Sequence, residues 1–398
     1  MNLTAISNTT LTDSSVMAPG GDINVSGANV VINEVHNLAT QASQTHFKET
    51  STTTQLKSGY VDAAKGAYNS VQTARDAKQD TGSDRMAGLA TLNAAASVYN
   101  AYQGMTGSAG AASASAAPIS AISVSVSTGV SKSESDSRSS QSLAQGSQLL
   151  AGGQVNIEAN GERASGNGNL TMIGANVNAG QSANLTANGN INLQAAESNI
   201  EVHSSNSGSN ASIGATFALG GQQNGFSFQL GAQGNRGLAN GSETSYTNTQ
   251  IKVGGTDHPG SLVIHSGGDT TLKGANASAD KISTDIGGNL WIESLKDKLT
   301  YDSQQTSSGA GVSICIPPIC YGTFVTVNVN ASEARIKADH DSVSATDDTA
   351  QRGQSGLKAG NGGFEVKVGG DTTLIGGVIS SSQQAIDTHI NSFSTGGA

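Results

Sequence analysis

Cys315 and Cys320, seven histidines and a thin scatter of carboxylates carry most of this chain's capacity for chemistry. The two cysteines flank Ile316-Pro317-Pro318-Ile319. That spacing suits a small disulfide ring at a hairpin tip, which requires an oxidising, exported environment. Free thiols are a second reading. A metal half-site is a third, and two thiolates without further ligands make a poor zinc site. The histidines lie apart, at 36, 46, 203, 258, 265, 340 and 389, and only His258 and His265 approach ligand spacing. No His-Glu-x-x-His, phosphate loop or Gly-x-Ser-x-Gly elbow occurs, nor the calcium-binding Gly-Gly-x-Gly-x-Asp repeat. A glycan-cleaving enzyme needs paired carboxylates facing one cleft. Here Glu158, Glu162, Glu197, Glu201, Asp269, Asp280, Asp285 and Glu293 fall mostly at corners or block ends. The residues therefore point to no catalytic site, no cofactor and no metal, and to a non-enzyme. A carbohydrate-active enzyme is the rival reading.

The elements around these residues are set by a repeated glycine corner. Gly267-Gly268-Asp269-Thr270-Thr271-Leu272-Lys273-Gly274 recurs as Gly369-Gly370-Asp371-Thr372-Thr373-Leu374-Ile375-Gly376. Looser copies begin at Gly20, Gly152 and Gly287. Glycine permits positive φ at such a corner, and the neighbouring Asp or Asn can cap the turn with its own side chain. A short strand of period two follows. Asp269 to Asn289 is 20 residues, and Asn169 to Asn190 is 21. That period predicts a solenoid whose coils bury apolar residues only against one another. Coils this rich in Gly, Ser, Thr and Asn cannot hold long helices. The expected fold is all-β: a right-handed parallel β-helix with β-hairpin excursions and one inserted helical hairpin.

Composition agrees. Aromatic residues make up 4% and charged residues 13%, too few of either for ordinary thick-cored globules. The net charge of −10, with no basic run, leaves no electrostatic footprint for nucleic acid.

In order, residues 1–58 read as coils and a polar extended excursion, with Ile6, Leu11, Val16, Ile23, Val25, Val30 and Ile32 pointing inward. Residues 59–104 show helical spacing and read as a helical hairpin insert. Residues 105–150 form an Ala/Ser-rich β excursion whose first part belongs to a charge-free run from Met86 to Ser131, and 151–204 are the cleanest coils. Their many asparagines predict hydrogen-bonded ladders between coils. Residues 205–250 hold an aromatic hairpin, with Phe217, Phe226 and Phe228 as candidate contacts for a membrane or partner. Coils resume over 251–300, where Trp291 lies one step out of the inward register. Residues 301–355 form a second hairpin excursion around the cysteines, and 356–398 return to coils.

Four stretches carry a family resemblance: Cys-Ile-Pro-Pro-Ile-Cys-Tyr-Gly at 315–322, Gly-Gly-Asn-Leu-Trp-Ile-Glu-Ser-Leu at 287–295, Ser-Tyr-Thr-Asn-Thr at 245–249, and Gly-Gly-Asp-Thr-Thr-Leu-Ile-Gly-Gly-Val-Ile-Ser-Ser at 369–381. Together they resemble the haemagglutinin-repeat region of filamentous haemagglutinins and contact-dependent growth inhibition effectors. These are very large exoproteins of two-partner secretion. The resemblance implies a secreted β-helical filament at a Gram-negative cell surface. The implied partners are a target-cell receptor or outer membrane and, through an amino-terminal domain absent from this sequence, an outer-membrane transporter. It also implies either an adhesin shaft or a segment that helps a toxin cross the target outer membrane. The chain opens without a secretory signal, so the expectation is part of a longer exported chain or a truncated, non-exported product.

Overall fold

The computed structural model describes residues 1–57, 122–219, 223–255, 258–322, 324–343 and 354–396. The expected helical hairpin at 59–104 and most of the charge-free run at 86–131 lie outside the described residues.

The coils form a parallel β-helix with three faces. A first face stacks Ser15–Ala18, Gln148–Ala151, Asn176–Ala179, Thr249–Val253 and the opening halves of Ala275–Ile286 and Gly356–Val368. A second stacks Asn2–Thr4, Ile23–Gly27, Gln154–Ala159, Ser182–Ala187, Ser261–Ser266 and the closing halves of the same two long strands. The third runs from Asn8–Thr12 through Asn29–Asn33, Leu170–Ile173, Ile191–Gln194, Thr270–Lys273 and Leu290–Glu293 to Thr372–Ile375. The two long strands join the first and second faces into one thirteen-stranded sheet, and the third face is a separate seven-stranded one.

The core is a column of alternate side chains. Val25, Ile157, Leu185 and Ile264 stack in one inward row, with Leu170, Met172, Ile191, Leu193, Leu272 and Ile292 on the opposite wall, all fully buried. Each such side chain contributes about 1.5–3 kcal/mol by leaving water. Of the residues expected inward in the first coils, Ile6 is the exception. It lies fully exposed in the turn between Asn2–Thr4 and Asn8–Thr12. Trp291 points outward as its register predicts, and its indole N–H donates to Glu293 Oε2 at 3.1 Å.

The glycine corners work differently from the expectation. Gly267, Gly268, Gly369 and Gly370 are not among the residues at positive φ. Their need for glycine is steric: a Cβ on Gly268 would collide with Asn190 Oδ1, one on Gly288 with Asp269 Oδ1, and one on Gly370 with Asn289 Oδ1. Those oxygens are engaged between coils rather than within the turn. Asn29 Oδ1 accepts the Asn169 N–H (3.0 Å), Asn169 that of Asn190 (2.9 Å), and Asn190 that of Asp269 (2.9 Å). Asp269 then accepts from Asn289 (2.7 Å), and Asn289 from Asp371 (2.8 Å). The Asp or Asn thus caps the next coil, and the glycine is the space its side chain occupies. The copies at Gly20 and Gly152 lie at a different corner, between the first and second faces, where Asp22 Oδ1 accepts the Gln154 N–H at 2.8 Å. A second ladder of side-chain amides, Asn2, Asn24, Asn156 and Asn184, runs up the outside of the second face.

Positive φ recurs at the third corner, where a coil closes tightly: Asp13 (43°), Gly174 (58°), Gly274 (66°) and Gly376 (61°). These tight closures alternate with coils whose chain leaves the solenoid instead, after Asn33, Gln194 and Glu293. The excursions are therefore spaced two coils apart. Each adds two strands, and coil rise and strand spacing are both about 4.8 Å. Three hairpins so placed meet edge to edge without a gap. They form one six-stranded antiparallel sheet, a fin standing off the solenoid. Its strands are Val35–Lys57, Ile122–Gln145, Ala196–Leu219, Gln223–Thr247, Lys296–Gly322 and Val325–Val343. Strands of some 24 residues reach about 80 Å. The hairpin that alternation marks over 211–232 is thus only the outer part of a longer one.

Candidate functional site

The fin changes chemistry along its length. Cross-strand partners place side chains on a common face. Near the solenoid, one such row joins Ala42, Arg138, His203, Asn240, Asp302 and Lys337. It lines a shallow groove of about 720 Å³. Arg335 grips Asp302 through Nε (3.3 Å) and Nη2 (2.9 Å). That hydrogen bond holds the Asp302 carboxyl below its ordinary range. Deeper in, burial first and the Glu197 carboxylate second push the Tyr246 phenol up.

Charge then stops at one level across five of the six strands; the edge strand Val35–Lys57 carries Glu49 opposite Ser131 and Lys57 opposite Ser123. Residues 204–235 contain no Asp, Glu, Lys, Arg or His, and neither do 303–332. The first hairpin's return strand is free of them from 122 to Lys132. Register aligns Ser131, Asn210, Gln233, Gly309 and Asn330. From that row to the end of its strand at Leu219 are ten residues, about 34 Å of extended chain.

Within this band the two faces differ. One carries Val126, Ala215, Phe228, Ile314 and Val325 in a single row, and Ile213, Leu230, Val312 and Val327 in the next. Its larger side chains are open to solvent: Ile213 is 62% exposed and Val327 60%. Phe217 and Phe226 pair across the second hairpin on this same face, with ring centroids 4.9 Å apart. The opposite face carries Ser125, Thr216, Ser227, Gln229 and Ser313, all buried. All three phenylalanines singled out in the sequence therefore share one exposed face, joined there by valines and isoleucines from neighbouring hairpins.

At the outer end the strand register breaks. Gly225 faces Cys320 while Ser227 faces Cys315, so the four residues between the cysteines leave the sheet. Cys315 and Cys320 are disulfide-bonded and buried, with Cα atoms 5.2 Å apart. Pro317-Pro318 lies in this unpaired bulge of the strand Lys296–Gly322.

The other residues considered for chemistry stay apart. No group of three or more His, Cys, Asp or Glu converges to hold a metal among the described residues. His265 pairs with Asp285 at 3.3 Å. Asp280 Oδ1 accepts the Asn361 N–H at 2.9 Å, and Glu293 sits 3.7 Å from Lys273. Asp269 belongs to the corner ladder.

Sequence reading missed a set of hydroxyls that splice the fin to the solenoid. Ser147, Thr249 and Ser355 stand where each hairpin re-enters, all buried. Each donates to the carbonyl of the residue at which the chain left: Asn33 (2.9 Å), Gln194 (2.6 Å) and Glu293 (2.6 Å). Each accepts an N–H from the tight corner of the neighbouring coil: Ser14 (3.0 Å), Ala175 (3.2 Å) and Ala275 (3.1 Å). The signal is faint: a Ser or Thr two residues before an inward Leu or Ile.

Residues 126–310 match the family model described as hemagglutinin repeat. The match runs from the first hairpin's return strand into the third hairpin. Toxin CdiA of Escherichia coli is 32% identical over 96% of the chain, which covers 11% of that relative. Deoxyribonuclease CdiA of Dickeya dadantii is 32% identical over 92%, covering 10% of it. The tRNA nuclease CdiA of Escherichia coli O6:K15:H31 is 31% identical over 100%, covering 11%. The chain thus spans about a tenth of the length of these relatives. No solved structure matches.

Proposed function

We propose that this chain, similar to the haemagglutinin-repeat region of CdiA-type proteins, is a non-enzymatic segment of a large secreted adhesin or toxin-delivery protein. The solenoid is its shaft. The outer part of the fin is the surface it presents to the target cell's outer membrane, where it assists passage of a toxin carried elsewhere in the longer protein.

One observation carries this reading: a band free of charge on five of the fin's six strands, apolar on one face and polar on the other, about as tall as a bilayer's hydrocarbon core. That core is about 30 Å thick, and a spanning β-strand needs about 9–11 residues. Strands that meet lipid alternate apolar and polar residues with period two, as the outer fin does. A shaft alone has no use for such a face, since contiguous exposed apolar surface on a soluble protein marks an interaction site.

Mixing the purified chain with outer-membrane vesicles tests it. The chain should co-sediment, and Ile213→Lys combined with Val327→Lys should abolish that. A wild-type chain that stays in the supernatant would sink the membrane role and leave only the shaft.

A further inference from the structure

We propose that the Cys315–Cys320 loop is the lipid-entering tip of the fin, and that its disulfide makes it one. This rests on the membrane reading above and names the part of the surface that enters first.

The loop projects apolar groups where a soluble protein would place polar ones. Ile316, Ile319, Tyr321 and Phe324 are 45%, 52%, 68% and 61% exposed. Within its own hairpin the nearest charged residues are Asp302 and Glu333, both beyond the start of the band, and Lys57 on the far edge strand shares the row of Cys320 through Ser123, Ala218 and Gly225. The backbone is equally suited to a dry environment. A buried N–H without a partner is costly in lipid, and Pro317 and Pro318 have none. Only Ile316 and Ile319 bring donors between the cysteines. At the base, the Cys315 N–H donates to the Phe324 carbonyl at 2.9 Å.

The disulfide holds this arrangement against the sheet. Gly225, at φ 104°, faces Cys320, and a Cβ there would collide with the Ile319 carbonyl and the Cys320 backbone. The ring therefore seats on a glycine, with its sulfurs inward and its isoleucines outward. Reduction by a dithiol breaks the S–S bond, leaves two thiols and converts the reductant to its own disulfide. The loop then keeps its composition but loses the closure that projects Ile316 and Ile319 together.

The test uses the whole chain and flotation with protein-free vesicles of phosphatidylethanolamine and phosphatidylglycerol. Oxidised wild type should float. Ile316→Asp with Ile319→Asp, which keeps the disulfide, should lower partition by about tenfold. Cys315→Ser with Cys320→Ser should do the same, as should dithiothreitol on the wild type, with recovery on reoxidation. Val263→Asp, on the solenoid's second face, is the control and should float like wild type. All variants should keep the wild-type solenoid melting transition. If the tip variants and the reduced chain float as well as wild type, the tip proposal fails and the membrane reading survives on the fin's apolar face. If oxidised wild type does not float, both fail. If flotation requires vesicles carrying outer-membrane proteins, the tip binds a protein and the lipid assignment is overturned.

Discussion

The solenoid and the fin are both built from short-period β sequence, yet they are held together by different forces. In the solenoid every coil turns one row of side chains inward, and Val25, Ile157, Leu185 and Ile264 are shielded from water on all sides. In the outer fin the equivalent alternation leaves Phe228, Leu230 and Val327 half exposed or more. A single sheet has no second layer to cover them. Its cohesion comes from backbone ladders and cross-strand pairs, each worth about 0.2–1 kcal/mol. The same apolar residues are thus stability in one region and available surface in the other.

The sharpest break in that comparison is a matched pair of truncations. Leu185→Ala empties part of the closed column and should cost about 2–5 kcal/mol. Ile213→Ala removes a side chain already in water and should cost about 0.5 kcal/mol or less. Thermal melts of the two variants would show it. Equal losses would mean that the fin's apolar face is covered and the two regions do not differ.

Gly268→Val tests the corner. The new side chain meets Asn190 Oδ1 and disturbs the hydrogen bond that oxygen accepts from Asp269. Overpacking of this kind costs about 1–3 kcal/mol. Melting should fall and proteolysis near 250–270 should rise. Next in size is Thr249→Val, which keeps the shape and deletes the splice between fin and solenoid. It leaves the buried Ala175 N–H without its partner, while the Gln194 carbonyl keeps the Gly174 N–H, at about 1–3 kcal/mol. Limited proteolysis should then release the second hairpin before the coils are cut. Simultaneous loss of both would show that the two regions unfold as one.

Much of the solenoid was legible because its signal is local. The 20- and 21-residue spacings correspond to adjacent coils, as Thr270 beside Leu290 and Leu170 beside Ile191 demonstrate. The fin was legible only in pieces. Alternation from Ala211 to Leu230 marks a hairpin, but nothing within those residues says that Val126 and Val325 lie in the same row. That juxtaposition depends on coil rise equalling strand spacing, a property of the assembled stack. The corner glycines were misread for the same reason. Positive φ is a local argument, whereas the Asn190 side chain filling the place of a Cβ at Gly268 belongs to a coil 78 residues earlier. The splicing hydroxyls connect residues as far apart as Asn33 and Ser147.

Among the smaller effects, acid should loosen the fin before the solenoid. Arg335 lowers the Asp302 pKa in the folded state. A depressed folded pKa contributes stability that is present above the ordinary carboxylate range and is lost as pH falls through the lower folded value. Both groups are open to solvent, so the change should be slight and weakened by salt. Asp302→Asn should remove it, read as hydrogen exchange across residues 296–343 below about pH 4.

The least disruptive test asks whether the solenoid core carries a defect of its own. Thr284 sits in the inward row between Ile264 and Val366. It is 3% exposed, and its hydroxyl finds no hydrogen-bond partner. Valine has nearly the same shape and no polar atom to desolvate. Thr284→Val should therefore raise stability by about 1 kcal/mol, near the low end of the penalty for a buried unsatisfied group. Thr216, in the fin, is also buried with an unpartnered hydroxyl, but it lies in a row with Ser125 and Ser227. Valine there removes one of several hydroxyls and leaves the surrounding surface polar. It should raise stability less and leave the solenoid's melting transition where it was. A larger gain at 216 than at 284 would mean that the fin's polar face is packed as tightly as the coil interior, and the contrast between a closed column and an open sheet would have to be redrawn.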